Sequence, residues 1–256
     1  MEKWEAAARK FISQCGFYAD IDAVFLTGSY AVGNADGLSD IDLYIALNDS
    51  CEWRARGSKL VDGGFRIEYF ANPIKQIIKY IDSFYASVRI LEINMMLNGI
   101  VIFDKNSAAK HLQEYCLQKR KENFPALGGY QVQMGQYLIW DNLDELTRAY
   151  ENNAADFTMQ YYMFLLNAFE FYSKYICSPV PSYHHLYRWL TDEKYRKNYK
   201  LPPYRDEPFL ELIAGAFDNM GPELMFAQAR KINNYVFKKA GGVDVDDFML
   251  KGPLDL

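Results

Sequence analysis

Cysteine and histidine are scarce in this chain of 256 residues, with four of the first and three of the second. Cys15, Cys51, Cys116 and Cys177 stand far apart without a Cys-x-x-Cys spacing. That pattern indicates neither a zinc site nor a disulfide framework, and free thiols in a reducing cytosol are the expectation. The adjacent His184 and His185 have no third ligand at metal spacing and read as structural or surface histidines. Long apolar runs are also missing, and nothing approaches the ~20 residues a membrane helix needs. Glu2, Lys3, Glu5, Arg9 and Lys10 interrupt what would have to be the apolar core of a signal peptide. A soluble cytoplasmic protein with no membrane partner is expected. Positive charge is short as well: 28 basic residues face 33 acidic ones, a net charge of −5, made of −4 through Asp104 and −1 beyond it. Neither part has the basic excess needed to follow a nucleic-acid backbone, so no nucleic-acid partner is expected.

What the chain does contain is apolar: half its residues are hydrophobic, enough for one large or two modest domains with real cores. One stretch concentrates chemistry. Val24-Phe-Leu-Thr-Gly28-Ser29 runs from an apolar strand into Gly-Ser, a polar loop follows, and Ser39-Asp40-Ile41-Asp42-Leu-Tyr-Ile45 opens a second strand. Side chains alternate along a strand, so Asp40, Asp42 and Tyr44 share one face while Ile41, Leu43 and Ile45 share the other. One face is expected to be core and the other chemistry. Carboxylates two residues apart lie about 7 Å apart at Cα and can hold hard cations such as Mg²⁺. A pair of such ions stabilises the attacking and leaving oxygens of a phosphoryl or nucleotidyl displacement. Gly28 lets the backbone approach a phosphate, and Ser29 adds a hydroxyl donor. A Gly-rich turn with solvated aspartates is the bland alternative, and Gly-Ser or Asp-x-Asp alone would not exceed it. Together, at this spacing and between two strands, they do.

At these residues the chain resembles the polymerase-β-like nucleotidyltransferase superfamily, whose signature is an apolar strand, Gly-Ser, a short helix or loop, and Asp-x-Asp on the next strand. The resemblance implies a third carboxylate on a later strand. In Phe65-Arg66-Ile67-Glu68-Tyr69-Phe70, alternation puts Arg66, Glu68 and Phe70 on one face. An acidic residue in so apolar a strand is costly to bury unless paired or bound to metal. Glu68 therefore fits the third ligand, or the base that deprotonates an acceptor.

Around this motif the pattern predicts a helix over 2–16, strands at 23–27, 40–47, 60–61, 65–70 and 100–103, and a turn at Asp62-Gly63-Gly64. Helices are predicted from Asn72-Pro73, with Asn as cap and Pro at the first helical position, from 87 to 97, and from 104 to 120. Pro125 and the pair Gly128-Gly129 mark a boundary, beyond which helices are predicted over 130–151, 155–177, 183–197, 206–219 and 222–238. Phe157–Tyr175 is apolar nearly all round and should be the central helix of a bundle. The fold class is α+β: a nucleotidyltransferase fold over 1–122, a mixed β-sheet with flanking helices, followed by an all-helical bundle domain over 129–256.

The order of elements is similar to bacterial antibiotic nucleotidyltransferases, most of all the lincosamide enzymes, with kanamycin and streptomycin adenylyltransferases similar in plan. That resemblance implies transfer of a nucleoside monophosphate, AMP above all, from ATP or another nucleoside triphosphate to a hydroxyl of a small antibiotic-like molecule, with release of pyrophosphate. It further implies that Asp40, Asp42 and Glu68 hold Mg²⁺, two ions in all, that Gly28, Ser29 and Ser39 seat the triphosphate, and that a homodimer forms. Glu92, Asp141, Asp144 and Glu145 are further carboxylates for the base, each read as a solvated helix charge first. Tyr137, Trp140, Tyr161, Tyr162, Tyr183, Tyr187 and Trp189 could wall an acceptor cleft in the helical half, although such residues are more often core. The basic run from Tyr183 to Tyr204 reads as a solvated helix face. Two other functions share the motif: attachment of AMP to a partner protein by an antitoxin-type enzyme, and a non-catalytic nucleotide-binding module.

Overall fold

The computed structural model describes residues 2–61, 63–179, 183–218, 221–246 and 248–252. Asp62 of the expected turn and Asn219 at an expected helix end lie outside them. The chain divides into two compact units, one formed by Met1–Asn123 with Lys194–Leu201, the other by Phe124–Glu193 with Pro202–Leu256.

The first unit opens with helix α1, Lys3–Gln14, which buries Ala8, Phe11 and Ile12. Strand β1, Ile21–Thr27, leads into the single turn of α2, Gly28–Ala31, then β2, Ile41–Leu47. Strand β3, Ala55–Leu60, and β4, Arg66–Pro73, form a hairpin. Helices α3, Ile74–Ala86, and α4, Leu91–Asn98, precede β5, Ile100–Asp104, and α5, Ala108–Lys119. The five strands form one mixed sheet in the order β3-β4-β2-β1-β5, in which only β2 and β4 run parallel. Val24, Leu26, Ile41, Leu43, Ile45 and Ile67 form one core layer with Phe11 and Ile12 of α1. Helices α3, α4 and α5 pack on the strands as well, and Phe25, Tyr44 and Ala46, which alternate with that layer, are also buried. The expectation of one core face and one chemical face on β2 therefore holds only at its start. Past Asp42 the strand is buried on both sides, as an inner strand between helix layers must be.

Three local readings change. Strand β3 starts at Ala55, because its polar sequence Arg-Gly-Ser-Lys suits an edge strand with one partner only. Pro73 is the N-cap of α3 and Asn72 still belongs to β4, so Asn72 does not cap the helix. The helix expected from Ser87 begins at Leu91, after a turn in which Val88 has φ 57°.

The second unit is all helical: α6, Gly129–Glu151; α7, Phe157–Tyr175; α8, Leu186–Thr191; α10, Glu207–Gly215; α11, Pro222–Ala240. Helices α6, α7 and α11 pack on one another. One side of α7 is core, with Tyr161, Phe164, Leu165, Phe169 and Tyr172 buried, but Met159, Tyr162, Met163 and Leu166 are exposed. It is a two-faced helix and not an enclosed one. The helix expected over 183–197 is broken at Asp192, which lies between α8 and α9, Glu193–Asn198. Beyond this break Lys194–Leu201 joins the first unit: Asn98 Nδ2 donates to Tyr199 O (2.8 Å) and Asn198 Nδ2 to Asn34 Oδ1 (2.6 Å). Among the described residues no helix is long and apolar enough to cross a membrane, and all four cysteines are free.

Candidate active site

The site is built where three strands meet. Asp42 stands opposite Thr27 of β1 on one side and opposite Glu68 of β4 on the other. Parallel pairing of β2 with β4 therefore brings two carboxylates, 26 residues apart in sequence, to neighbouring positions about 4.8 Å apart across the sheet. Thr27 Oγ1 donates to Asp42 O (3.4 Å). Asp40 sits just ahead of β2, its Oδ1 3.9 Å from Nε of Arg66 on β4. Burial pushes the Asp42 carboxyl up to about 6, and the neighbouring charges of Glu68 and Asp40 push in the same direction.

Gly28 closes the site from the β1 side. Its φ is +65°, in the left-handed region, and a Cβ there would lie 2.0 Å from Asp42 Oδ2. Glycine is thus required twice, by backbone conformation and by space. Ser29 lies in the turn of α2, and its carbonyl accepts from Asn34 N (2.9 Å), which ties the motif loop back on itself. Ser39 is in a tight loop turn: its Oγ donates to Asp36 Oδ1 and accepts from Asp36 N, both at 2.9 Å.

The donor set suits a hard divalent cation, since it is all oxygen and holds one carboxyl driven toward protonation by burial and by its acidic neighbours, which a bound cation would reverse. Asp42 and Glu68 are the adjacent pair. As the side chains stand, no group of three or more His, Cys, Asp and Glu residues is gathered at metal-binding geometry among the described residues.

The other candidates separate clearly. Asp144 and Glu145 of α6 pair with Arg148 at 2.7 and 3.5 Å, as solvated helix charges do, and Asp141 lies on the same helix. Glu92 does not fit that description: it is buried in α4, and burial pushes its carboxyl up to about 7 against the lowering influence of its own backbone N–H and of Arg89. The sequence masks it because α4 is apolar enough to be covered on more than one side. Of the expected cleft aromatics, Tyr161 and Trp189 are core, while Tyr162 and Tyr187 are exposed. Tyr137 lies 5.8 Å from Trp140 and stacks on Phe248 at 4.8 Å in the second unit. His184 and His185 sit in a short 3-10 turn after Tyr183, and burial holds the His185 imidazole below its usual range, as do Arg188 and His184.

Residues 8–108 match the nucleotidyltransferase domain family, a span that contains all five strands, Gly28, Ser29 and Ser39, the three carboxylates and Glu92. No curated protein matches the chain. Among solved structures, a nucleotidyltransferase-like protein from Exiguobacterium sibiricum aligns with 12% identity and a TM-score of 0.43, over 93% of this chain and 77% of that one. The domain match supports a nucleotidyltransferase enzyme, and enzymes with this domain generally use a nucleoside triphosphate and a divalent metal.

Proposed function

We propose that this chain transfers a nucleoside monophosphate, AMP first of all, from a nucleoside triphosphate to a hydroxyl of a small antibiotic-like molecule, with Mg²⁺ as the metal. The observation that carries the reading is the pairing of Asp42 with Glu68, closed by a glycine that only an absent Cβ allows so near to Asp42. In this reading Asp40, Asp42 and Glu68 hold the metal, and Gly28, Ser29 and Ser39 seat the triphosphate. The metal, when bound, neutralises charge on the phosphates and on the attacking and leaving oxygens.

The remaining work is positioning and one proton transfer. The acceptor oxygen forms a bond to the α-phosphorus as the bond from that phosphorus to the β-phosphate bridging oxygen breaks. Pyrophosphate leaves, and the acceptor proton passes to a carboxylate. In this reading Glu68, the register partner of Asp42 on β4, takes it. Arg66 balances the charge of Asp40 at the strand entrance.

The test is incubation with Mg²⁺, ATP or GTP, and a panel of aminoglycosides and lincosamides. Pyrophosphate release together with the mass of an added nucleoside monophosphate on the acceptor supports the reading. Absence of both with every acceptor contradicts it.

A further inference from the structure

Two residues along each strand from Asp42 and Glu68, on the same sheet face, the side chains are Tyr44 and Phe70. They stand 6.4 Å apart as a near-parallel pair and form one wall of a cavity of about 680 Å³ within the first unit. Tyr80 of α3 and Leu91 of α4 line it from the other side, and the guanidinium of Arg56 lies 4.2 Å over the Phe70 ring at its exposed rim. Glu92 lines the same cavity with only 7% of its surface exposed. Its Oε2 is buried and has no hydrogen-bond partner among the described residues.

The Glu92 side chain is part of the cavity wall, and its unpartnered carboxylate oxygen, buried behind that wall, costs stability. The cavity has the composition of a ligand site: largely aromatic and apolar walls with two buried polar side chains, Glu92 and Asn72, to orient the guest. Its location says which guest. The sheet order β3-β4-β2-β1-β5 places Gly28 and Ser29, at the end of β1, on one flank of Asp42, and places the cavity on the β4 flank. A triphosphate seated at Gly28 and Ser29 leaves the second flank to the second reactant.

We propose that this cavity is the acceptor site, binding a small ring compound whose apolar face lies on Tyr44 and Phe70 and whose hydroxyl or amino group donates to Glu92. It rests on the nucleotidyl-transfer reading above, and it moves the acceptor from the aromatic residues of the helical half to the catalytic unit itself. Glu92 acts here as a binding residue and holds the guest beside the carboxylates.

Calorimetric titration of kanamycin, streptomycin and lincomycin into the nucleotide-free chain tests the assignment, with Glu92→Gln and Leu91→Trp as variants. Glu92→Gln keeps the shape and removes the anionic acceptor; Leu91→Trp fills the cavity from a position 40% exposed, where the fold tolerates it. At least one compound should bind, equally well to Asp42→Asn, and lose 10-fold or more in affinity in both cavity variants while the affinity for Mg²⁺-ATP stays unchanged. Binding of none of the three, unchanged affinity in either cavity variant, or a parallel loss of ATP affinity, as for a nucleobase pocket, would overturn it. Glu92-dependent binding with no pyrophosphate released by the wild type marks failure of the transfer reading, and with it of the acceptor role, while the cavity remains a ligand site.

Discussion

Gly28 and Asp42 are packed so closely that a single added carbon on Gly28 would stand 2.0 Å from a carboxylate oxygen. A turn that follows one strand thus sets the position of a charged group on the next. Gly28→Ala has to move either the turn or the carboxylate, and the left-handed φ of +65° adds strain. The expected cost is ~1–3 kcal/mol of stability, and transfer should fall at least about 100-fold because a shift of about 1 Å suffices for that. Urea unfolding and initial rates of pyrophosphate release check both.

Asp42→Asn separates stability from chemistry. The folded carboxyl is pushed up to about 6 from an ordinary 3.8, so the charged form is disfavoured by folding. The resulting penalty is absent below about pH 4, grows as pH rises toward 6, and is complete above it. The metal-free variant should therefore be more stable than wild type at pH 8, by on the order of 1–2 kcal/mol after allowance for solvent screening, and equal to it near pH 4. Thermal melts at the two pH values decide this, and the same variant should release no pyrophosphate.

For Glu92→Gln the window lies higher. Its carboxyl is raised from 4.5 to about 7, mainly by burial. Wild type should lose stability between about pH 4.5 and 7, and the variant should not. A stability gap of about 1–3 kcal/mol in favour of Gln at pH 8, closing at pH 4.5, is expected in denaturant titrations.

How far the sequence reached depends on how local each signal is. Strands β1, β2 and β4 were legible from their apolar residues, and Asp40, Asp42 and Glu68 stood out as acids within or beside them. Their arrangement was not legible, because the pairing of Asp42 with Glu68 is a parallel, non-local contact that no local pattern encodes. Edge strand β3 was placed several residues late because Arg-Gly-Ser-Lys carries no apolar alternation. Glu92 was read as a solvated charge, since a lone acid in a helix gives no sign of which faces will be covered. The return of Lys194–Leu201 to the first unit was invisible for the same reason, and it escaped a reading that assigned everything past 129 to the helical half.

The tyrosines of that half find their use in the fold. Asp206, the N-cap of α10, accepts from Tyr172 Oη (2.5 Å), Tyr235 Oη (2.7 Å) and Phe209 N (3.3 Å), with Lys239 at 4.0 Å. Burial alone would raise its carboxyl, but the two hydroxyls, the backbone N–H and Lys239 outweigh it and hold the carboxyl below the usual range. Asp206→Ala removes a cap and leaves a tyrosine hydroxyl in the core without its acceptor. A loss of ~2–4 kcal/mol is expected, and differential scanning calorimetry should show it as a lower melting temperature. Because the folded carboxyl is lowered, the stabilisation is present at neutral pH and fades as pH falls through the folded value.

The most direct test of nucleotidyl transfer at the paired carboxylates is the rate of Mg²⁺-dependent pyrophosphate release from ATP, with an acceptor present, by wild type and by Asp40→Ala. Release by wild type that stops on chelation of Mg²⁺ and falls to background in Asp40→Ala is the predicted result. Release that survives the substitution, or proceeds equally without a divalent metal, would contradict it.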